Sequence, residues 1–511
     1  MRRSTLTILI PSLILLAAIS CFEIITIVSS NGGMFTYTLD DAYIHLAQAE
    51  NLIKGHFGIN TIEHSAPCSS ILWPFILAPF TLLEYGYMTP LILNMLFCIA
   101  SLWVLARIIE ISLDEYSGHP AASALLAVIM LGTNLVGLIF TGMEHSLQVL
   151  LVLATLLGLI SESQEKKTGA ALIVIMILSP LIRYENMAVT LCGTLFLMRR
   201  GHMKASLLIL CFSLLLTGGF SLYLTSIGLP PMPSSVMAKS QIVSGSSRII
   251  EIIRNFRESM NKTPAILLMS ALCFLAFAAL SGNRDEKDSK LALSIAVAVG
   301  MHLLAGRYGW YSRYEIYIWT TVNASLIYLF REQLKSIFQN GNQAALITSL
   351  TLFTFLLCPA YLAVLTTTPQ AAANIHDQHL QMHIFAKTFY GKPVAANDIG
   401  YLCFKNPHYV LDLWGLGSSD ALKMRLSSKN GEWMNDLAMK KGVKLAMIYD
   451  KWYPDIPKTW KKMGVMKTGG ENITPAFSSV DFYCLDPAEE GAISEALEAF
   501  RKVLPSNVTF Q

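Results

Sequence analysis

The residues best suited to chemistry are few. Asp40 and Asp41 are adjacent carboxylates in the stretch Leu39-Asp40-Asp41-Ala42-Tyr43. One member of such a pair can take a proton from a hydroxyl while the other orients it or holds a cation. Aspartate also suits a helix N-terminus, where it caps free N–H groups and stabilises by roughly 0.5–2 kcal/mol. Glu144, in Thr141-Gly142-Met143-Glu144-His145, is a further acid at a helix start. Arg183-Tyr184-Glu185 offers either a structural ion pair or a cation facing an anionic headgroup. Lys239 stands in a long basic segment with Arg248, Arg254 and Arg257, while Arg307 and Arg313 bracket Trp310 and Tyr311. Arginine matches phosphate, and flat rings match the face of a sugar. Interfacial aromatics also occur simply as a membrane belt.

The elements that position these residues are read from composition. Of 511 residues, 53% are hydrophobic and 14% charged, whereas a soluble domain carries about 25% charged residues. An ordinary water-soluble enzyme is therefore excluded. The charges are uneven: 42 of the Asp, Glu, Lys and Arg residues fall in 1–369 and 31 in 370–511. The first part reads as membrane and the second as a solvated domain. A net charge of +3 gives no case for nucleic acid. The nine cysteines form no CxxC pair or Cys/His cluster, which speaks against a zinc or redox motif.

A bilayer core needs about 20 apolar helical residues to cross it. Runs at 6–29, 88–108, 120–140, 145–162, 168–183, 185–199, 204–226, 264–282, 289–306, 314–331 and 342–366 predict a polytopic α-helical protein of about eleven transmembrane helices. The Pro- and aromatic-rich segment Ser69–Leu83 is read as lying in the interface. Arg2 and Arg3 place the N-terminus in the cytoplasm, and the same parity puts Arg107, Lys166, Lys167, Arg199, Arg200, Arg284, Lys287, Arg331 and Lys335 on that side. All the candidate residues above then fall on the outer face, where ionisable groups at membrane depth point to a shared site.

Two domains follow. Residues 1–369 form the transmembrane module, with outer loops 30–87 and 227–263. Residues 370–511 form a small periplasmic α/β domain, divided from the module by the Thr-Thr-Thr-Pro-Gln stretch near 367–372. Pro393–Ile399 and Val443–Tyr449 read as strands and Ala492–Val503 as a helix. Cys403 and Cys484 both lie in this outer tail, in a compartment that permits a disulfide.

The ordered motifs LDDAYIHLAQAENLIKGHFGIN at 39–60, SAPCSSILWPFILAPF at 65–80, TGMEHSLQVLL at 141–151 and LIRYENMAV at 181–189 resemble those of bacterial GT-C glycosyltransferases. So do VAANDIGYLCF at 394–404 and VLDLWGLGSSDA at 410–421. The resemblance is to the branch with an Asp-Asp-Ala-Tyr signature, which includes mycobacterial terminal arabinofuranosyltransferases, and to protein-mannosyltransferase-like proteins. His145, Tyr184, Asn186 and the Pro67-Cys68-Ser69-Ser70 stretch depart from that pattern.

The resemblance implies a GT-C fold and an inner-membrane enzyme that moves a sugar, with inversion, from a polyprenyl-phosphate donor to a cell-envelope glycan or glycolipid. It implies Asp40 as the catalytic acid residue, Asp41 as its partner and Glu144 as a second acid. Lys239 and Arg307 become candidates for the donor phosphate, beside Arg183, Arg313, Trp310 and Tyr311 for substrate. It allows a divalent cation and makes no cofactor certain. A glycolipid flippase is the rival from another class, but transporters favour midplane sites and internal repeats, and neither is visible.

Overall fold

The computed structural model describes residues 3–239, 248–282, 284–428 and 430–511; for Arg3, Ala238, Lys239 and Arg248 it describes the backbone alone. Each apolar run named above is helical. The helices Arg3–Ser30, Thr89–Leu113, His145–Glu165, Met203–Ser226, Thr263–Leu280 and Glu286–Ala305 form or centre the six stretches that, among the described residues, are long and apolar enough to cross a membrane. A seventh is added if the pair Gln343–Leu357 and Pro359–Tyr390, bent by 68°, counts as one span. Pro120–Gly132, Ala170–Ile182 and Ile316–Leu329 are apolar but shorter, so among the described residues length and composition pick out six or seven of the eleven expected crossings. Leu214, Leu215, Leu222, Phe277 and Leu280 stand exposed on such helices. Water would penalise so many outward apolar side chains, while lipid does not.

Two expected boundaries differ in detail. The run 120–140 is broken between Pro120–Gly132 and Leu135–Phe140, because Asn134 takes a left-handed conformation at φ 50°. The Thr-Pro stretch read as a domain break lies inside the helix Pro359–Ile375, with Pro369 in its interior, so the chain passes from 366 to 367 as helix and not as a loop. The chain then runs on through wide turns at His376–Leu380 and Phe385–Tyr390 before Gly391, at φ 65°, ends it. Single wide turns of this kind occur often at functional sites.

Two compact units emerge. Among the described residues, the first falls within 3–23, 91–219 and 248–366; the second falls within 24–90, 220–239 and 367–511. The segment 30–87, read above with the membrane module, thus shares a unit with the tail.

In the first unit, several buried charges are paired. Glu162 is fully buried and bonds Arg200 at 3.2 Å and His202 at 2.8 Å, and Asp288 meets Arg331 at 2.7 Å. Removing such groups from water is affordable only with partners.

In the second unit the tail carries a six-stranded sheet: β1 (Val394–Ala396), β2 (Val410–Asp412), β3 (Leu445–Ile448), β4 (Lys461–Thr468), β5 (Ser479–Cys484) and β6 (Val508–Phe510), in the order β2-β1-β3-β5-β4-β6. The first three are parallel and buried along their length; β5, β4 and β6 continue the sheet antiparallel. The helices Glu432–Lys440 and Glu490–Arg501 bury Leu437, Ala438, Leu497 and Phe500. Cys403 and Cys484 are both free thiols.

Candidate functional site

Asp40 stands directly before the helix Asp41–Ile53, yet its side chain makes no capping bond to that helix. Its two oxygens turn instead to a different helix start. Oδ2 accepts the backbone N–H of Gly400 at 2.7 Å and Oδ1 that of Tyr401 at 2.8 Å. The first N–H groups of a helix have no internal partner, so a carboxylate there satisfies two of them at once. Gly400 makes the approach feasible. A Cβ at that position would lie 2.7 Å from Asp40 Oδ2 and closer still to its carbonyl oxygen.

Tyr43, from the same Asp-Asp-Ala-Tyr stretch, stacks obliquely on Tyr401 with ring centroids 4.0 Å apart. Its hydroxyl accepts the N–H of Tyr37 at 3.2 Å. Ala42, Tyr43, Leu46 and Ala49 are all buried, so the helix that follows Asp40 is held by its apolar face.

His379 and Asp398 complete the cluster. His379 Nε2 lies 3.3 Å from Asp398 Oδ2, and the imidazole is buried. The wide-turn segment His376–Leu380 delivers His379, while Asp398 sits in the loop after β1, two residues before Gly400. The neighbouring Gln378 accepts the Tyr449 hydroxyl at 2.5 Å, and Asn397 accepts the Tyr449 N–H at 2.8 Å. These bonds fix both flanks of the pair.

The electrostatics follow from burial and from the mix of one imidazole with two carboxylates. Burial pushes the Asp40 carboxyl up to about 6; His379 opposes this, Asp398 adds to it, and the two backbone N–H groups work against it. Burial alone would push the His379 imidazole down, but Asp40, Asp398 and Asp41 raise it above its ordinary value.

One ligand atom from each of Asp40, His379 and Asp398 can be chosen so that all three lie within 4.8 Å of one another. Two carboxylates and an imidazole form a mixed O/N donor set that suits a divalent cation. His379 Nδ1 is buried without a hydrogen-bond partner among the described residues. The residues present therefore fit such an ion.

A second polar cluster belongs to the first unit. Arg183 donates to Glu144 at 2.8 Å and reaches Glu185 through two bonds, at 2.6 and 3.1 Å. Its Cζ lies 5.8 Å from the centre of the Tyr314 ring, and that of Arg313 lies 5.0 Å from the same ring. His145 faces Tyr314 at 6.0 Å. Glu144 makes no capping bond to the helix it precedes. Glu315 accepts the Gly309 N–H at 2.9 Å and the Tyr361 hydroxyl at 3.2 Å. Gly309, Trp310, Tyr311 and Ser312 take four successive positive φ values, three of them at non-glycine residues. Each such residue stores of order 1–3 kcal/mol of strain, which is typical of functional segments. Arg307 and Trp310 are exposed there.

The sequence-based candidates thus fall into two groups. Asp40 and Asp41 lie in the second unit; Glu144, Arg183, Arg307, Trp310, Tyr311 and Arg313 lie in the first. Lys239 ends the short helix Ser234–Lys239, and its side chain lies outside the described residues. Sequence reasoning missed His379, Asp398 and the Gly400-Tyr401 pair. The signal was present in VAANDIGYLCF, where a strand ends in Asn-Asp before a glycine that must admit another backbone.

Residues 373–483 match a family described as a domain of unknown function (DUF8728). No curated protein matches the chain. Among solved structures, the apo oligosaccharyltransferase of Archaeoglobus fulgidus is similar at a TM-score of 0.46 and 10% identity, over 97% of this chain and 76% of that one. The arabinofuranosyltransferase AftD from Mycobacteria is similar at 0.42 and 13%, over 92% of this chain and 41% of its own. The Archaeoglobus fulgidus oligosaccharyltransferase AglB, in complex with an inhibitory peptide and a dolichol-phosphate, gives 0.42 and 8%, over 97% and 75%.

Proposed function

We propose that the chain is a membrane-bound glycosyltransferase that moves a sugar from a polyprenyl-phosphate carrier to a hydroxyl of an envelope glycan or glycolipid, with inversion, at the outer face of the bacterial inner membrane. The observation that carries this reading is the placement of Asp40. A carboxylate next to Asp41 is pinned by Gly400 and Tyr401 and faces His379 and Asp398, on the segment that follows the first apolar helix. An acidic cluster held this tightly at the end of an apolar helix suits the activation of a hydroxyl.

In this reading the acceptor O–H gives its proton to Asp40 as the oxygen attacks the anomeric carbon. Each Asp40 oxygen accepts one backbone N–H and keeps a further lone pair for that proton. The bond from the anomeric carbon to the phosphate oxygen breaks, and its electron pair leaves on the polyprenyl phosphate. Attack from the opposite face inverts the centre. Asp41 orients the acceptor. A phosphate leaving group needs stabilisation of charge rather than a strong acid, which is the role proposed for Lys239 and Arg307. Trp310, Tyr311 and Arg313 would contact the substrate, and Glu144 with Arg183 would hold the neighbouring outer segment in place.

A divalent cation, when bound, would supply further positive charge for the leaving phosphate, and Asp40, His379 and Asp398 are the residues that would hold it. The N-terminus is proposed to be cytoplasmic, as Arg2 and Arg3 favour, and the tail periplasmic, which goes with an odd number of crossings such as the seven counted when the bent pair Gln343–Leu357 and Pro359–Tyr390 is one span.

The test is direct. Purified protein is incubated with radiolabelled polyprenyl-phosphate sugars and envelope glycan, and label on the glycan is counted. Transfer to glycan supports the reading; movement of intact labelled lipid across liposomes without consumption would replace it with the flippase.

A further inference from the structure

The tail contains a cavity that the proposed chemistry does not use. It has a volume of about 290 Å³, at the low end of ligand sites, which run from about 300 to 1,000 Å³. That is room for one ring rather than a chain of them. Its floor is built on the loop after β2. Asp412 accepts the N–H groups of Trp414, Gly415 and Gly417 at 2.8, 3.1 and 2.6 Å, so the loop that presents Trp414 is held from below. The opposite wall comes from Trp452, Tyr453 and Asp455. Gly431 lets that wall close in, since a Cβ there would collide with the carbonyl oxygen of Asp455.

The lining is both aromatic and polar. The Trp414 and Trp452 rings lie 4.5 Å apart at a tilt of 42°, and the Arg425 guanidinium sits 3.7 Å above the centre of Trp414. Tryptophan faces attract the C–H faces of sugar rings, and polar groups at the edge then take the hydroxyls. Asp455 is exposed at that edge. A purely apolar ligand would strip water from these polar groups and return nothing.

The unsatisfied atoms specify charge. Arg425 makes no ion pair among the described residues, and its Nε is buried without a hydrogen-bond partner. The Tyr453 hydroxyl, on a residue 6% exposed, is buried without one too. Arginine offers only donors, and the tyrosine can donate as well. The nearby acid, Asp412, is already occupied by the backbone N–H groups of its own loop.

We propose that this cavity is a glycan subsite for a single sugar ring bearing an acidic group. The ring lies against Trp452, and the carboxylate or phosphate meets Arg425 and Tyr453. No bond is made or broken there, so binding is read without turnover and stands apart from the transferase reading.

The experiment is calorimetric titration of the full chain in detergent with methyl glucuronide, glucose 6-phosphate, methyl glucoside and inorganic phosphate. The expected result is that an acidic sugar binds at least about tenfold tighter than the neutral glucoside or inorganic phosphate; whether glucuronide or glucose 6-phosphate is the tighter identifies the acid. Arg425→Gln should erase the advantage of the acidic sugars, Arg425→Lys should keep part of it, and Trp452→Leu should weaken every sugar. Equal binding of inorganic phosphate and acidic sugars would reduce the cavity to an anion site and overturn the proposal. So would Arg425→Gln binding as the wild type does, or no saturable binding of any sugar to the wild type. Thermal melts establish that the variants are folded; if Arg425→Gln is not, the wild-type comparison of acidic with neutral sugar decides alone.

Discussion

The Asp40 carboxylate accepts the backbone N–H of Tyr401 at 2.8 Å, joining the first loop to the tail across 361 positions of sequence. An aspartate that stands at the cap position of its own helix caps another one instead. That helix start also carries the loop with Asp398, so the acid and its neighbours are fixed by one set of bonds.

Gly400 is the hinge of that arrangement. Any side chain there collides with the Asp40 backbone and lies within contact of Oδ2. Gly400→Ala should displace the carboxylate and lower transfer by at least about tenfold, since small misplacements of a catalytic group cost that much or more. It should also destabilise the fold by about 1–3 kcal/mol through overpacking. Initial rates and melting curves check both; a variant with wild-type rate would separate the Gly400 contact from function.

The Asp40, His379 and Asp398 cluster gives a metal prediction. Chelation of divalent ions should lower transfer, and added manganese or magnesium should restore it. His379→Ala and Asp398→Asn should each raise the ion concentration needed for half-restoration by about 10–100-fold, the usual effect of disturbing a metal site. Elemental analysis of the purified protein provides an independent reading. Full activity in chelator would remove the ion from the account.

Arg183 tests the second cluster. It bridges Glu144, which is fully buried, and Glu185. Arg183→Ala takes one partner from a buried acid and should cost about 3–5 kcal/mol of stability. The fall in melting temperature should exceed that of Arg183→Lys, which keeps the charge but not the two-bond contact with Glu185.

Asp412 carries a pH dependence. Burial raises its carboxyl from 3.8 to about 6, against the pull of the N–H groups of Gly417, Gly415, Trp414 and Leu416. The folded state then binds the proton more tightly than the unfolded chain does. This contribution to stability is full below about pH 4, falls as pH rises toward 6, and is lost above it; its size is on the order of 3 kcal/mol. The advantage in melting temperature of wild type over Asp412→Asn should therefore be larger at pH 4.5 than at pH 7. An advantage that does not change with pH would contradict the sign.

Much of this was legible in the sequence, and the reasons for the remainder are physical. Apolar runs identify helices because lipid and core both select the same residues, so each segment from 6–29 to 342–366 is helical. Length separates them less cleanly: Ala170–Ile182 and Ile316–Leu329 have the composition of spans without the reach. Pro369 marks an ending in sequence terms, yet it sits within a helix. Asp40 stood out because it is paired with Asp41. His379 did not, since a lone histidine has no spacing to betray it, and Asp398 acquires meaning only when the loop after β1 brings it to His379. The register that joins residue 40 to residue 400 is a property of tertiary structure.

The measurement that bears most directly on the central claim is transfer by Asp40→Asn, assayed with radiolabelled polyprenyl-phosphate sugar on protein that inserts and melts like the wild type. Asparagine keeps the size of the side chain but cannot take up a proton as the carboxylate does. The account expects label on the glycan to fall by at least about a hundredfold, within the range general-base catalysis contributes. Wild-type transfer by Asp40→Asn would contradict it.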